Sequence, residues 1–301
     1  MIRALCILFS FFSWYELVSQ ITFSRVIESE YGSSVGMNVE YFEDNYYLIS
    51  RHACEDGNSG CGSLIQLNQN GEPRSQVYID WIHFGIDESM IIYDSLIVIS
   101  GHINTENLRS FLISGFDLDG TQHFLFEHEF PDSIFYIQNY GLLESKGSYY
   151  INGAARNAEN HVLGVIQKVG KKGLSVQSTL IERKGTLEFN IVDLIEYEDR
   201  IFFGGTYKTQ AFSSSRSRTI NELVNDQEII QLFKTPDIRD SASGSGICFA
   251  ASNKGELFTI AASDEGIWGT LLPQSIKQIY RATNYGPILS SFRQIVMIFE
   301  E

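Results

Sequence analysis

Two histidines open the chemical reading of this chain. His52 and His102 each lie eight residues after an aspartate, Asp44 and Asp94, inside otherwise similar stretches. At matched positions of neighbouring repeats they would start equivalent loops, and two imidazoles joined by a third donor can hold zinc. The matching positions further on are Ala155, Tyr207 and Ser263, which complete no ring of ligands. The preferred reading is therefore two solvated loop histidines, with no metal and no cofactor. Arg156, His161 and Lys208 belong to the same set of loops. Together with His52 and His102 they form the candidate ligand-binding set.

Other motifs offer less. Asp117-Leu118-Asp119-Gly120 clusters carboxylates as a hard cation would want, but Thr121-Gln122-His123 lacks the further oxygen ligands. It reads as a hairpin turn, and Asp56-Gly57-Asn58 reads similarly. No Gly-x-Ser-x-Gly elbow occurs, and Gly244-Ser245-Gly246 lacks the following helix of a phosphate loop. No catalytic residue is assigned on these grounds. A carboxylate pair for glycoside hydrolysis is a spatial match that spacing does not display. Trp81, Trp268 and Tyr207 are candidate faces for sugar stacking.

These residues must be positioned by a repeat. A turn followed by an apolar strand begins at Asp44, Asp94, Gly147, Asp199 and Gly255, at intervals of 50, 53, 52 and 56 residues. Each copy reads as an apolar strand, a two-residue turn, a nearly all-apolar strand ending in small residues, a loop, a third strand and a more polar fourth. Glycine turns after the third strand, at Asn70-Gly71, Asp119-Gly120 and Lys172-Gly173, keep the same period. Four antiparallel strands per fifty residues is the grammar of an all-β propeller. Five to six blades are expected, the last one incomplete, with residues 21–27 joining it as an outer strand. Residues 219–233 are ambiguous between helix and strand, and 208–225 read as a polar surface insert.

Composition bounds the partners. A net charge of −15 disfavours nucleic acid and anionic membrane surfaces, which need cationic patches. With 44% apolar residues there is ample surface to bury, so disorder is not favoured. Residues 1–20 read as a signal peptide, with Arg3 ahead of an apolar run too short to span a bilayer. The remaining chain, 21–301, reads as one propeller domain, monomeric, with no membrane insertion after signal removal. Three cysteines then remain, and Cys54 and Cys61 bracket a turn-rich loop, so a disulfide is expected between them in an oxidising compartment. Cys248, inside an apolar run, reads as an unpaired buried thiol.

The turn, apolar strand, small residue with glycine, loop, strand and Asp-Gly turn of 94–120 and 147–173 resemble the short propeller repeats of secreted bacterial proteins. The likeness covers most of 34–270 and implies a propeller fold, export and a role in surface binding or adhesion. The functional expectation is a secreted, periplasmic or cell-surface module that binds a glycan, peptide or protein. The alternative is a propeller hydrolase or lyase acting on polysaccharide.

Overall fold

The computed structural model describes residues 34–281 apart from 53–60, 80–82, 85–88, 106–107, 172–175, 183–184, 210–214, 225–227, 235–237, 240, 241–246, 252–256, 264–265 and 272–276. The expected signal peptide, the strand at 21–27, Cys54 with its loop, Trp81, the turns at 172–173 and 255–256, and the apolar runs at 288–292 and 295–299 lie outside the described residues.

Every regular element described is a strand. Blade 1 pairs β1 (Ser34–Phe42), β2 (Asn45–His52), β3 (Cys61–Asn68) and β4 (Pro73–Ile79) in that order. Blade 2 begins with two short strands, β5 (His83–Phe84) and β6 (Met90–Tyr93), both lying along β7 (Leu96–Asn104). It continues through β8 (Arg109–Asp117) and β9 (Gln122–Glu129). Blade 3 is β10 (Ile134–Ser145), β11 (Ser148–Asn157), β12 (Val162–Gly170) and β13 (Val176–Ile181). Blade 4 is β14 (Glu188–Tyr197), β15 (Arg200–Lys208), β16 (Ser215–Val224) and β17 (Glu228–Lys234), with β18 (Ile238–Arg239) also on β16. Blade 5 is β19 (Ile247–Ala251), β20 (Leu257–Ser263), β21 (Gly266–Leu271) and β22 (Lys277–Arg281). Pairing within each blade is antiparallel, and the first strands follow one another from blade to blade. The chain is a β-propeller, with five blades among the described residues.

The hairpins that open the first four blades are two-residue turns with both residues at positive φ. They are Glu43 and Asp44 (46° and 61°), Asp94 and Ser95 (49° and 61°), Lys146 and Gly147 (49° and 74°), and Glu198 and Asp199 (49° and 60°). Two positive φ angles in succession mark the turn whose twist matches the flanking strands. In blades 1, 3 and 4 the turn starts one residue earlier than the sequence reading placed it. Turn starts at 43, 94, 146 and 198 give intervals of 51, 52 and 52, a tighter period than the sequence anchors showed.

This register fixes which way each second-strand side chain points. Counting from the first turn residue, even positions face the next blade: Tyr47 and Ile49 pack with Met90, Ile97 and Ile99. Odd positions face the preceding blade: Tyr149 and Ile151 pack with Val98, Phe111 and Ile113. Tyr150, Phe203 and Tyr207 repeat the pattern between blades 3 and 4. Burial on both faces explains why these strands are almost wholly apolar.

Two readings are corrected. Residues 219–224 and 228–233 are strand, in β16 and β17, which resolves the helix-or-strand ambiguity, and residues 215–224 of the supposed insert at 208–225 are β16. Its polar run supplies the third strand of blade 4. Thr219, Asn221 and Leu223 are all buried.

Gly153 shows how closely the strands approach. A Cβ there would lie 2.0 Å from the Gln138 carbonyl oxygen and 3.1 Å from the Phe111 ring. Gly153→Ala is expected to cost about 1–3 kcal/mol through overpacking. Gly36→Ala, which meets only Leu48 at 3.5 Å, should change stability by no more than about 1 kcal/mol. Chemical denaturation of both variants checks the contrast, and equal losses would contradict it.

Candidate functional site

The corrected register separates the two histidines. His52 stands nine residues after its turn start and His102 eight, so they leave opposite faces of their sheets. His52 faces away from blade 2, whereas His102 faces blade 3. Sheets 1 and 2 both lie between them. Neither is a solvated loop residue, since both are buried within strands. The His52 Nε2 atom shares a 2.9 Å hydrogen bond with Ser63 Oγ, and its ring meets Tyr78 edge-on. His102 Nδ1 accepts from the backbone N–H of Asn139 at 3.3 Å, which places the proton of the neutral ring on Nε2.

Asn139, on β10, is fully buried and binds in several directions. Its side-chain oxygen accepts from Ser100 Oγ, and its amide reaches the Gly141 and Asn152 carbonyls. Asn104 adds a two-way bond with Ile137, donating at 2.6 Å and accepting at 2.9 Å. The sequence-selected His102 therefore belongs to a polar clasp between blades 2 and 3.

The other three candidates come together. Ladder pairs run Tyr136–Arg156, Arg156–Val162, Val162–Glu188 and Glu188–Lys208. They form one row across β10, β11, β12, β14 and β15. The parallel Val162–Glu188 pair is the link between blades 3 and 4, reinforced by Val162 N–H to Leu187 O at 2.9 Å. Lys208 Nζ lies 3.8 Å from Glu188 Oε1. His161 closes the β11–β12 loop, where Asn157 Oδ1 accepts from the N–H groups of Glu159 and His161. The His161 ring lies 3.8 Å from the Glu159 carboxylate. Arg156 Nη1 donates weakly to Asn160 Oδ1 at 3.4 Å, and its Nε, shut off from solvent, has no hydrogen-bond partner among the described residues.

Sequence reasoning missed Phe135 and Tyr136. The β10–β11 ladder skips a residue between Ile134 and Tyr136, so Phe135 is bulged. Both rings are 41% exposed, an uncommon display for consecutive aromatics. The signal available was the run Ile134-Phe135-Tyr136-Ile137 just ahead of the third repeat. Tyr207, a proposed stacking face, is instead buried in the core between blades 3 and 4.

At the opposite end of the blades, cations are engaged between neighbours. Lys171 bonds Glu144 at 3.1 Å and sits 3.4 Å from the Tyr93 ring centroid. Lys146 donates to the Asp199 carbonyl. Asp119 holds the turn after β8 by accepting from Thr121 N–H, which keeps its carboxyl below the usual carboxylate range. Among the described residues, no group of three or more His, Cys, Asp and Glu is placed to hold a metal. Cys61 is buried at the start of β3.

No known protein family matches the chain, and no curated protein does. Among solved structures it is similar to the Bombyx mori GH32 β-fructofuranosidase BmSUC1, at 9% identity and a TM-score of 0.48. That match covers 80% of this chain and 55% of the silkworm enzyme, so the chain spans about half the enzyme's length. A thermostable family-43 glycoside hydrolase matches at 14% identity and a TM-score of 0.46, over 85% of this chain and 97% of that one. The β-propeller domain of the Trilobed protease from Pyrococcus furiosus matches at 8% identity and 0.43, over 83% and 86%. Likeness at this level assigns no role to any residue here.

A cavity of about 280 Å³ lies between blades 2 and 3 at their outer strands, lined by Phe111, Leu125, Phe126, His128, Gln167 and Val176 among others. His128 Nε2 and Ser178 Oγ bridge the two blades at 3.2 Å. Burial pushes the His128 imidazole below its ordinary value of 6.5. The unfolded chain therefore takes up this proton first, and the stability complete above about pH 6.5 declines as pH falls below it. Wild type should lose more melting temperature between pH 7 and pH 5 than His128→Gln does. Parallel pH curves for the two proteins would remove His128 as the cause.

Proposed function

We propose that this protein is an exported, monomeric, single-domain β-propeller that works as an interaction module for a glycan, peptide or protein. The contact region is the end of blades 3 and 4 that carries Arg156, His161 and Lys208. One observation carries the reading: the Tyr136–Arg156–Val162–Glu188–Lys208 row sets exposed aromatic surface beside an unpartnered guanidinium donor on hydrogen-bonded strands. Polar groups convergent on a rigid scaffold suit recognition. His52 and His102, in their buried bonds, serve packing at the same end of blades 1 and 2. Export rests on the character of residues 1–20 and on the resemblance to secreted bacterial propeller repeats. A Cys54–Cys61 disulfide would accord with an oxidising compartment. The alternative is a polysaccharide hydrolase or lyase; a carboxylate pair alone suffices for glycoside hydrolysis, so the separation of His52 from His102 removes only a shared role for those two.

A glycan and peptide array, run with a hydrolysis screen on the mature protein, tests the module. Arg156→Ala and Lys208→Ala should each weaken binding about tenfold while moving the melting temperature by less than about 2 °C. Turnover of any polymer would overturn the non-enzymatic reading. Loss of binding on substitution of Asp94 or Asn70 would place the contact at the other end.

A disulfide between Cys54 and Cys61 is proposed. Thiol labelling of the denatured, unreduced mature protein should then modify Cys248 alone. Labelling of Cys54 would exclude the pairing.

A further inference from the structure

The tenth position after each turn start shows what is particular to Arg156. In blade 2 it is Asn104, which uses both amide groups to stitch β7 to Ile137 of the next blade. In blade 4 it is Lys208, paired with Glu188. In blade 3 it is Arg156, which makes no such stitch. Its Nε is shielded from water and has no acceptor among the described residues, and its Nη1 has only the 3.4 Å bond to Asn160. The Nε atom is closed to solvent, so a ligand meets the guanidinium through its Nη groups, of which Nη1 has only that weak bond. The guanidinium fork fits a carboxylate, two parallel N–H groups meeting two oxygens.

The residue opposite Arg156 on the ladder is Tyr136, and the bulge before it turns Phe135 outward as well. Two aromatic surfaces beside a carboxylate receptor suit a ring that has apolar faces and carries an acid. An extended peptide would instead add to a strand edge, and β11 has none at Arg156, being paired with β10 on one side and β12 on the other. We infer that Arg156 and Tyr136 bind a saccharide bearing a carboxylate, the guanidinium holding the acid and the Tyr136 and Phe135 rings packing on the sugar. This rests on the interaction-face reading above and names its ligand class.

Titration calorimetry of the mature protein with an oligogalacturonate, its methyl ester and an oligoglutamate tests the inference. The acid should bind about tenfold or more tightly than its ester, as one charge-assisted pair implies. Arg156→Gln should abolish that preference, and Arg156→Lys, which keeps charge without the fork, should restore part of it. Tyr136→Ala should weaken acid and ester alike. Equal affinity for acid and ester overturns the carboxylate, while the interaction face stands if Arg156→Ala still weakens both. Binding of oligoglutamate alone overturns the saccharide. An unchanged preference in Arg156→Gln, with an unchanged melting temperature, overturns the site. Silence toward all three, with a neutral ligand bound on the array, overturns this inference only. Silence on the array as well overturns both readings.

Discussion

The structure depends on the double burial of the second strands of blades 2, 3 and 4. Their alternate side chains belong to two different interfaces, so Tyr149 seals blade 3 against blade 2 while Tyr150, the next residue, seals it against blade 4. A slip of one residue would exchange every partner at once. Apolar packing alone tolerates some rearrangement, but directional polar bonds do not. Asn38 donates to the Met90 carbonyl, Asn104 pairs with Ile137, and Asn152 donates to the Ile191 carbonyl. Each reaches from one blade to the first strand of the next. These directional bonds, buried at Asn152 and part-buried at Asn38 and Asn104, give the repeat a fixed register as well as a fixed order, since a displaced amide loses its partner.

That register is also where the sequence reading reached its limit. The fold was legible because its signals are local: apolar strands, small residues after them, and turn residues at a near-constant interval. The turn itself was misplaced by one residue in blades 1, 3 and 4. The structure puts Glu43, Lys146 and Glu198 at positive φ, where long side chains are uncommon. Asp44-Asn45 looked the better turn because aspartate and asparagine tolerate that conformation more easily. The error is small along the chain and decisive across the sheet. It made His52 and His102 equivalent, whereas the twist-matched hairpins send them to opposite faces.

The site was legible in part for the same reason. Arg156 and Lys208 share the tenth position of consecutive repeats, so a repeat alignment finds both, and His161 follows from the loop between them. Their joining through Val162 and Glu188 depends on a parallel contact between blades that no local pattern announces. Phe135 and Tyr136 were hidden for another reason. Consecutive apolar residues ahead of a buried strand read as core, and only the bulge turns both outward.

The geometry of that row sets what a ligand must be. Arg156, Val162, Glu188 and Lys208 follow one another along paired strands that lead from blade 3 into blade 4. A partner that engages both cations lies at the blade 3–blade 4 junction. The Leu187 backbone, bonded to Val162 N–H on one side and the Lys208 carbonyl on the other, ties the two blades together there. In a chain of net charge −15, the surrounding field opposes an acidic ligand at long range. Affinity at this junction then comes from the short-range fork of Arg156 and from ring contact, with Lys208 already shared with Glu188. Such a balance selects for shape as well as charge, because a flexible polyanion gains little from one guanidinium while meeting the repulsion of the whole molecule.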